Sequence, residues 1–551
     1  MPKIVNDEEL QAAVNAYYEA AGNRAEAARS LGLKRTTFND RLALAETKLK
    51  VKIGKVADGR VNLVESSRRD LPKKGHVKRY ILTSIQNNTH LHPGFNNLLA
   101  YNEWLDDLPK GSCELIIGTY TYQKAAYGAK AVKRGTFNAN KDEEDLWYAR
   151  EAEQYIIDES LFLAPGLIWC GEMNILPTTK YPLDNTNLTN YNGRKSNVFP
   201  HTRIAMSSVA SMADEATKLN YTTGTVTQLN YIEKMAGIVA ERNHCYGALL
   251  VEVDDQGSWF CRQLHIDEDD AIMDIGPEGS AGVHVQLGQV EDLNVVTGVY
   301  CGDTHVAEMD PWVRKLMWGN GGMLDTLKPE FQFHGDIFSM RSRSHHELKS
   351  LKRIFQKHIG GEASVEEEIK LTVDFANEAN RDWCEMVLIP SNHHRHLEQW
   401  IEMAKSEWWQ DPANIRYYLQ LALALASAIE SQESDFDLLE YAMTKAGLDK
   451  NIRFLAEDES FQVCGVENGL HGDLGPNGSR GSTKGLTKLG RPLNKGHDHT
   501  AAIRDEVYSA GVCGSRFVYQ KGPSSHSVSH IVIYKNGKRA LVTMFSNKWR
   551  A

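Results

Sequence analysis

The sequence predicts an α/β protein of several domains, with a small all-α domain at its front. Three observations carry this expectation. The chain has 551 residues, beyond the size at which one hydrophobic core keeps growing, so about two to four domains are expected. Its hydrophobic share of 42% and charged share of 24% are those of an ordinary globular protein, and no run approaches the ~20 apolar residues of a membrane span. From residue 79 onward, short β-type runs alternate with helical stretches, the pattern of sheets covered by helices.

The same composition excludes several classes. The eight cysteines are scattered and never form Cys-x-x-Cys, which argues against a disulfide framework and against a thiolate zinc site. With 62 basic and 72 acidic residues the net charge is -10, so any nucleic-acid contact must come from local patches. The opening MPKIVNDEEL lacks the basic and then apolar regions of a secretion signal. The expected address is therefore the cytoplasm.

Residues 1–50 read as helical, with Leu10, Val14, Tyr17 and Tyr18 at helical spacing. Ala25, Ala27 and Ala28 sit in a short helix, Leu31-Gly32-Leu33 makes a sharp turn, and Arg35-Thr36-Thr37-Phe38 begins a third helix. This stretch resembles the helix-turn-helix of factor-for-inversion-type DNA-binding domains. The resemblance implies DNA as a partner, with Arg24, Lys34, Arg35, Thr36, Thr37 and Arg41 as the contacting side chains, since one basic face is what phosphates need. A short three-helix bundle used for oligomer or partner contact is the alternative, and the sequence leaves room for a homo-oligomer.

Residues 51–78 mix glycine, charge and short apolar pieces and read as a linker or small hairpin. Over 79–290 the runs RYILTSI, CELIIGTY, GLIWCGE, YGALLVEV and SWFCRQL read as strands of an α/β domain with no assigned role. The polar stretches QNNTHLH and TTGTVTQLNY are candidates for lining a site, or for turns and caps. Neither a P-loop nor a dinucleotide fingerprint is present. Residues 291–551 again alternate strands with helices, and about 395–450 becomes strongly helical, an insert suited to a cap.

In this last region each strand-like run ends in residues of metal-ligand type. VVTGVYCGDTH ends with Asp303 and His305, FQFHGDIFS carries Asp336, EMVLIPSNHH ends with Asn392 and His393, FQVCGVENGLH with His471, and KGHDH supplies His497 and His499. Loops beyond the carboxyl ends of strands in open α/β sheets converge on one crevice, so ligands distant in sequence can meet there. Two carboxylates, one amide oxygen and four imidazoles suit a pair of divalent ions. A single GDTH or GHDH is weak; the ordered set is specific.

The order Asp-x-His, Gly-Asp, Asn-His, His, Gly-His-x-His resembles the calcineurin-like metallophosphoesterase superfamily, nearest its double-strand-break-repair exonuclease branch. The resemblance covers about 230 residues and implies a β-sandwich flanked by helices. The whole chain is also similar to phage nucleases of early DNA transfer and host-DNA breakdown. By this resemblance Asp303, His305 and His499 bind one ion, Asn392, His471 and His497 the other, and Asp336 bridges them. The implied cofactor is two divalent ions, manganese foremost, with magnesium, iron or zinc as alternatives. Water made nucleophilic near neutral pH by the two ions would attack phosphorus in line with the leaving oxygen. His393 is then the catalytic acid, or the group that stabilises charge on phosphate.

Two positions depart from the family pattern. Gly-Asn-His followed by an acidic residue is usual, whereas this chain has Ser391-Asn392-His393-His394; and Ser339 stands where the repair branch commonly has histidine. Both put the rate and the phosphate class in doubt, not the ligands. Between His471 and His497 runs a glycine-rich stretch bearing Arg480, Lys484, Lys488, Arg491 and Lys495, either a track for a phosphate backbone or a solvated mobile loop. Of the other histidines, His396 and His526 are the next to test. The expected activity is a metal-dependent DNA phosphodiesterase. A phosphomonoesterase or nucleotide or phosphoprotein phosphatase uses the same ligands, and a DNA-binding regulator with structural metals is the non-enzymatic alternative.

Overall fold

The computed structural model of the chain describes residues 5–20, 24–48, 68–122, 147–212, 214–344, 347, 350–402, 411–514, 517 and 520–551. The chain divides into two compact units, residues 1–70 with 160–163, and residues 71–159 with 164–551.

The first unit holds three helices, α1 (Asp7–Glu19), α2 (Arg24–Ser30) and α3 (Arg35–Lys48). A reciprocal cap starts α1: the Glu9 N–H donates to Asn6 Oδ1 at 2.8 Å and the Asn6 N–H to the Glu9 carboxylate at 3.3 Å. Leu10, Val14 and Tyr17 of α1, Ala27 and Ala28 of α2, and Phe38, Leu42 and Ala45 of α3 form one small core. Between α2 and α3 the chain turns at Gly32, whose φ of +66° is open to glycine at little cost. The Leu33 N–H closes that turn on the Ala28 carbonyl at 2.8 Å. Most of the expected linker, 51–67, lies outside the described residues, and its end is already strand, since Val77–Gln86 begins there.

In the second unit the runs expected as strands are strands. Val77–Gln86 pairs in parallel with Gly111–Tyr120 and antiparallel with Gly247–Val253, which pairs with Trp259–His265. Helix Phe95–Asp106 packs Phe95, Leu98, Tyr101 and Leu105 onto this sheet. The polar stretches around it turn out to be stitching. Ser84 donates to the Gly224 carbonyl at 2.6 Å, Thr225 to the Ser84 carbonyl at 2.8 Å, and the Gln86 N–H to Thr227 Oγ1 at 3.1 Å.

A six-stranded sheet follows the order Arg453–Phe454, Glu385–Leu388, Phe331–His334, Val296–Tyr300, Ser529–Tyr534, Arg539–Thr543. Its first four strands are mutually parallel, Ser529–Tyr534 runs against them and Arg539–Thr543 runs with them again, so five carboxyl ends point to one edge. A longer sheet contains, in order, Gln462–Val463, Val466–Glu467, Leu493–Lys495, Val507–Ser509, Ala502–Arg504, His201–Val209, Lys218–Gly224, Ser196–Phe199 and Leu167–Cys170. Strands from both sides of residue 290 thus share one sheet. The helical insert comprises Asn392–Glu402, Ile415–Glu430 and Leu438–Lys445, with 403–410 outside the described residues. Leu397, Ile401, Tyr418, Leu421, Leu439 and Met443 join these helices to the main core. Among the described residues, no helix is long and apolar enough to cross a membrane.

Candidate metal centre

Every proposed ligand stands just past a strand. Asp303 and His305 follow Val296–Tyr300, Asp336 follows Phe331–His334, Asn392 and His393 follow Glu385–Leu388, His471 follows Val466–Glu467, and His497 and His499 follow Leu493–Lys495. Asn392 also opens helix Asn392–Glu402, whose His394 N–H lies 3.4 Å from the buried Ser391 hydroxyl. The serine that departs from the family pattern therefore serves as a helix cap.

One ligand atom from each of Asp303, His305, Asp336 and His499 lies within 4.8 Å of the others. His499 Nε2 is 3.2 Å from Asp303 Oδ2 and 3.1 Å from His305 Nε2, which is itself 3.5 Å from Asp336 Oδ2. His471 adds its Nε2 at 3.2 Å from Asp336 Oδ2 and its Nδ1 at 3.9 Å from Asp303 Oδ1. His497 stacks edge-on to His471 with ring centres 5.4 Å apart. His393 Nε2 approaches Asp336 Oδ2 to 3.9 Å, and its chain neighbour Asn392 has a buried side-chain oxygen.

Buried polar atoms normally find hydrogen-bond partners. Here both Asp303 oxygens, Asp336 Oδ1, Asn392 Oδ1 and both His471 nitrogens are buried and have none. These carboxylates and imidazoles face one another at 3.2 to 3.9 Å without forming hydrogen bonds of good geometry, an arrangement that a cation between them would complete. The donor set and its orphaned atoms fit a divalent metal ion, so this buried group can hold one.

The backbone is bent to serve the cluster. His305, Asp336, His497 and His499 have φ of +40°, +47°, +70° and +54°, left-handed values that residues with a Cβ rarely adopt. Loop-to-loop hydrogen bonds hold them there: His305 N–H to the Asp336 carbonyl at 2.8 Å, Thr304 N–H to the Gly335 carbonyl at 3.1 Å, and Gly496 N–H to the His471 carbonyl at 2.8 Å. Two glycines allow the close approach. A Cβ on Gly496 would sit 2.0 Å from Asp303 Oδ1, and one on Gly335 would sit 2.6 Å from His471 Nδ1.

Charges in the cluster are strongly coupled. Burial pushes the Asp336 carboxyl up, but the imidazoles of His471, His393 and His305 outweigh it and hold the group well below the carboxylate range. Burial opposes protonation of His471, yet Asp336 and Asp303 raise it to about 9. Burial carries His305 well below its ordinary value, and burial with the nearby His471 lowers His497.

Around the ligands lies a layer that orients them. Ser339 does so twice: its hydroxyl is 3.2 Å from His305 Nδ1, and its carbonyl accepts from His393 Nδ1 at 2.7 Å. The proton on His393 is thereby fixed at Nδ1, and Nε2 faces the cluster. A backbone carbonyl thus orients His393, while His394 is turned into the interior. Thr304 pairs with His334 Nδ1 at 3.0 Å, and the Gly302 N–H donates to His530 Nδ1 at 3.2 Å. His334 and His530 are thus supports for the Asp303 loop. His526 stacks edge-on to His499 at 4.9 Å, His396 stacks on His393 at 4.7 Å, and Phe517 covers His305 at 5.1 Å. His345 and His346 lie outside the described residues. Sequence reading missed the double role of Ser339; its only signal was its departure from the family residue.

The stretch between His471 and His497 is more ordered than its glycines suggest. It forms the short helix Thr483–Leu486, capped by Ser482 on the Gly485 N–H at 3.0 Å, and Leu486 packs with Leu493 and Val507. Arg480, Lys484, Lys488 and Arg491 are exposed, with Arg491 Nη2 3.7 Å from Glu467. Lys495 corrects the expectation: its side chain is buried and paired with Asp498, so it is not offered to a phosphate. In the first unit Lys34, Arg35, Thr36 and Thr37 are exposed at the start of α3. Arg24 donates to Asn39 at 3.3 Å, and Arg41 is engaged with Glu9 at 3.4 Å.

No family model and no solved structure matches the chain. A curated phage protein does: the chain is 34% identical to Protein A1 of Escherichia phage T5 over 486 residues, covering 86% of this chain and 83% of that protein. The likeness supports a phage origin.

Proposed function

The chain belongs to the family of Protein A1 of Escherichia phage T5, and from its buried Asp/His cluster we propose that it is a metal-dependent nuclease hydrolysing DNA phosphodiester bonds. The observation that carries this reading is the meeting of Asp303, His305, Asp336 and His499, from the ends of three separate strands, with ligand atoms within 4.8 Å of one another. In this reading Asp303, His305 and His499 hold one ion, Asn392, His471 and His497 a second, and Asp336 both, as in a calcineurin-like metallophosphoesterase. Bound ions supply Lewis acidity toward phosphate oxygens and lower the pKa of water.

The chain's own residues do the rest. His393, held through its Nδ1–H by the Ser339 carbonyl, presents Nε2 to the cluster edge; with a second proton on Nε2 the imidazolium can pass that proton to a leaving oxygen or share it with a phosphate oxygen, while Nδ1–H stays on the carbonyl. Gly335 and Gly496 let the loops close around Asp303 and His471 without a clash. Arg480, Lys484 and Lys488, exposed on the segment between two ligands, neutralise a phosphate backbone beside the cluster. The exposed start of α3, with Lys34, Arg35, Thr36 and Thr37, adds duplex affinity.

Purified protein incubated with circular and linear DNA in manganese, magnesium or chelator tests the reading. Cleavage that needs metal and that Asp336→Asn removes together with metal binding is expected. His393→Ala should keep the metal and lower kcat by about 10²- to 10⁴-fold. A chromogenic monoester cleaved faster than DNA would instead favour a phosphomonoesterase. A His393→Ala variant of unchanged activity would remove the assigned chemistry.

A further inference from the structure

Five histidine rings cross the candidate site in a row. His396 stands 4.7 Å from His393 between ring centres, His393 4.8 Å from His305, His305 5.0 Å from His499, and His499 4.9 Å from His526, each pair meeting edge to face. His305 and His499 belong to the cluster, and His393 flanks it on one side. His526 flanks it on the other, one ring beyond His499, and the chemistry assigned to His393 gives it no task.

His526 is half-buried, and its Nδ1 is enclosed without a hydrogen-bond partner among the described residues. Its loop is held from outside the cluster. Ser211 and Ser524 exchange backbone hydrogen bonds at 2.8 and 2.9 Å, the Thr217 hydroxyl donates to the His526 carbonyl at 2.5 Å, and the His526 N–H donates to the Ser524 hydroxyl at 3.1 Å. Phe517, itself buried, backs the rings of both His499 and His526.

Two hydroxyls share this flank. Thr500, next to the candidate ligand His499, and Ser525, next to His526, are half-buried with their oxygens 2.9 Å apart. Such a pair uses one proton for its own bond and keeps the other for an acceptor. Lys521, exposed on the same loop, adds a positive charge. A hydroxyl, an imidazole N–H and an ammonium are donors that suit a phosphate oxygen. The His499 ring stands between His526 and the Asp303 and His305 atoms, so a phosphate received here is a neighbour of the one that reacts. A polynucleotide carries such a neighbour at every nucleotide, whereas a small phosphate ester carries none.

Resting on the nuclease reading, we propose that His526, with the Thr500 and Ser525 hydroxyls, binds the phosphate of a nucleotide adjacent to the scissile bond and so selects a polynucleotide strand over a small ester. The test is cleavage of DNA oligonucleotides, single-stranded and duplex, in manganese, with methylphosphonate replacing one phosphate at a time to remove its charge. In the wild type one replacement beside the cut bond should slow cleavage about 10- to 100-fold, the loss expected for one hydrogen bond to a charged group. His526→Ala should slow cleavage of the unmodified strand by a similar factor, and that methylphosphonate should then cause no further loss. His526→Gln, which keeps a side-chain N–H, should regain part of the rate. Manganese affinity by calorimetry separates contact with substrate from orientation of His499, whose loss would lower it about 10- to 100-fold. A wild type indifferent to every neighbouring methylphosphonate, losses from His526→Ala and methylphosphonate that multiply, or a manganese affinity of His526→Ala that falls with the rate would each overturn the proposal. A wild type that cleaves no DNA in manganese would remove the nuclease reading and this inference with it.

Discussion

Gly496 shows how little room the candidate site leaves. One added carbon there would lie 2.0 Å from an Asp303 oxygen, so Gly496→Ala must move either the carboxylate or the His497–His499 segment. Manganese affinity by calorimetry should fall at least tenfold, while far-UV dichroism stays that of the folded chain; unchanged affinity would show that Asp303 is not a ligand. Ser339→Ala removes the hydroxyl beside His305 but keeps the carbonyl that holds His393. Loss of such an orienting partner typically costs about 10- to 100-fold in metal affinity. Ser339→Thr, which retains the hydroxyl, should recover most of it. The candidate ligands could be singled out in the sequence because each sits in a short motif after an apolar run. The supports were not, because the contacts of Ser339, His334 and His530 join residues far apart along the chain.

Among the elements, the three-helix unit and the segment between His471 and His497 carry the proposed DNA contacts. The helices were readable because Leu10, Val14, Phe38 and Leu42 repeat at helical spacing and Gly32 marks the turn. Removing residues 1–50 should lower affinity for duplex DNA and flatten its salt dependence while leaving cleavage of saturating substrate, as measured by anisotropy and gel assay. Lys484→Ala with Lys488→Ala should also weaken binding, and should lower the salt slope by about two. An unchanged slope would make this segment a structural connection only. Its order was hidden in the sequence: glycines and small polar residues read as mobile, but Leu486 and Ser482 fold it into a capped turn against Leu493 and Val507.

At the scale of the whole molecule, buried histidines set an acid limit. Burial holds the fully enclosed His201 and His334 at about 3, whereas an unfolded histidine titrates near ~6.5. Between these values the unfolded chain binds more protons, so stability is full above pH ~6.5 and falls as pH drops toward 3, by about 1.4 kcal/mol per pH unit for each such group. Urea midpoints of the metal-free protein should therefore decline from pH 7 to pH 5; a flat profile would mean these histidines are not buried neutral. The sequence by itself determined the α/β class, the strand runs and the residues of the candidate site, because apolar periodicity and the order of short motifs are local properties. Only the tertiary structure decided that strands from both sides of residue 290 share a sheet, that Lys495 is buried on Asp498, and that four proposed ligands adopt left-handed backbone. Those outcomes depend on burial and on hydrogen bonds between segments that meet only in the folded chain, and no local pattern of side chains encodes which partner a loop will meet.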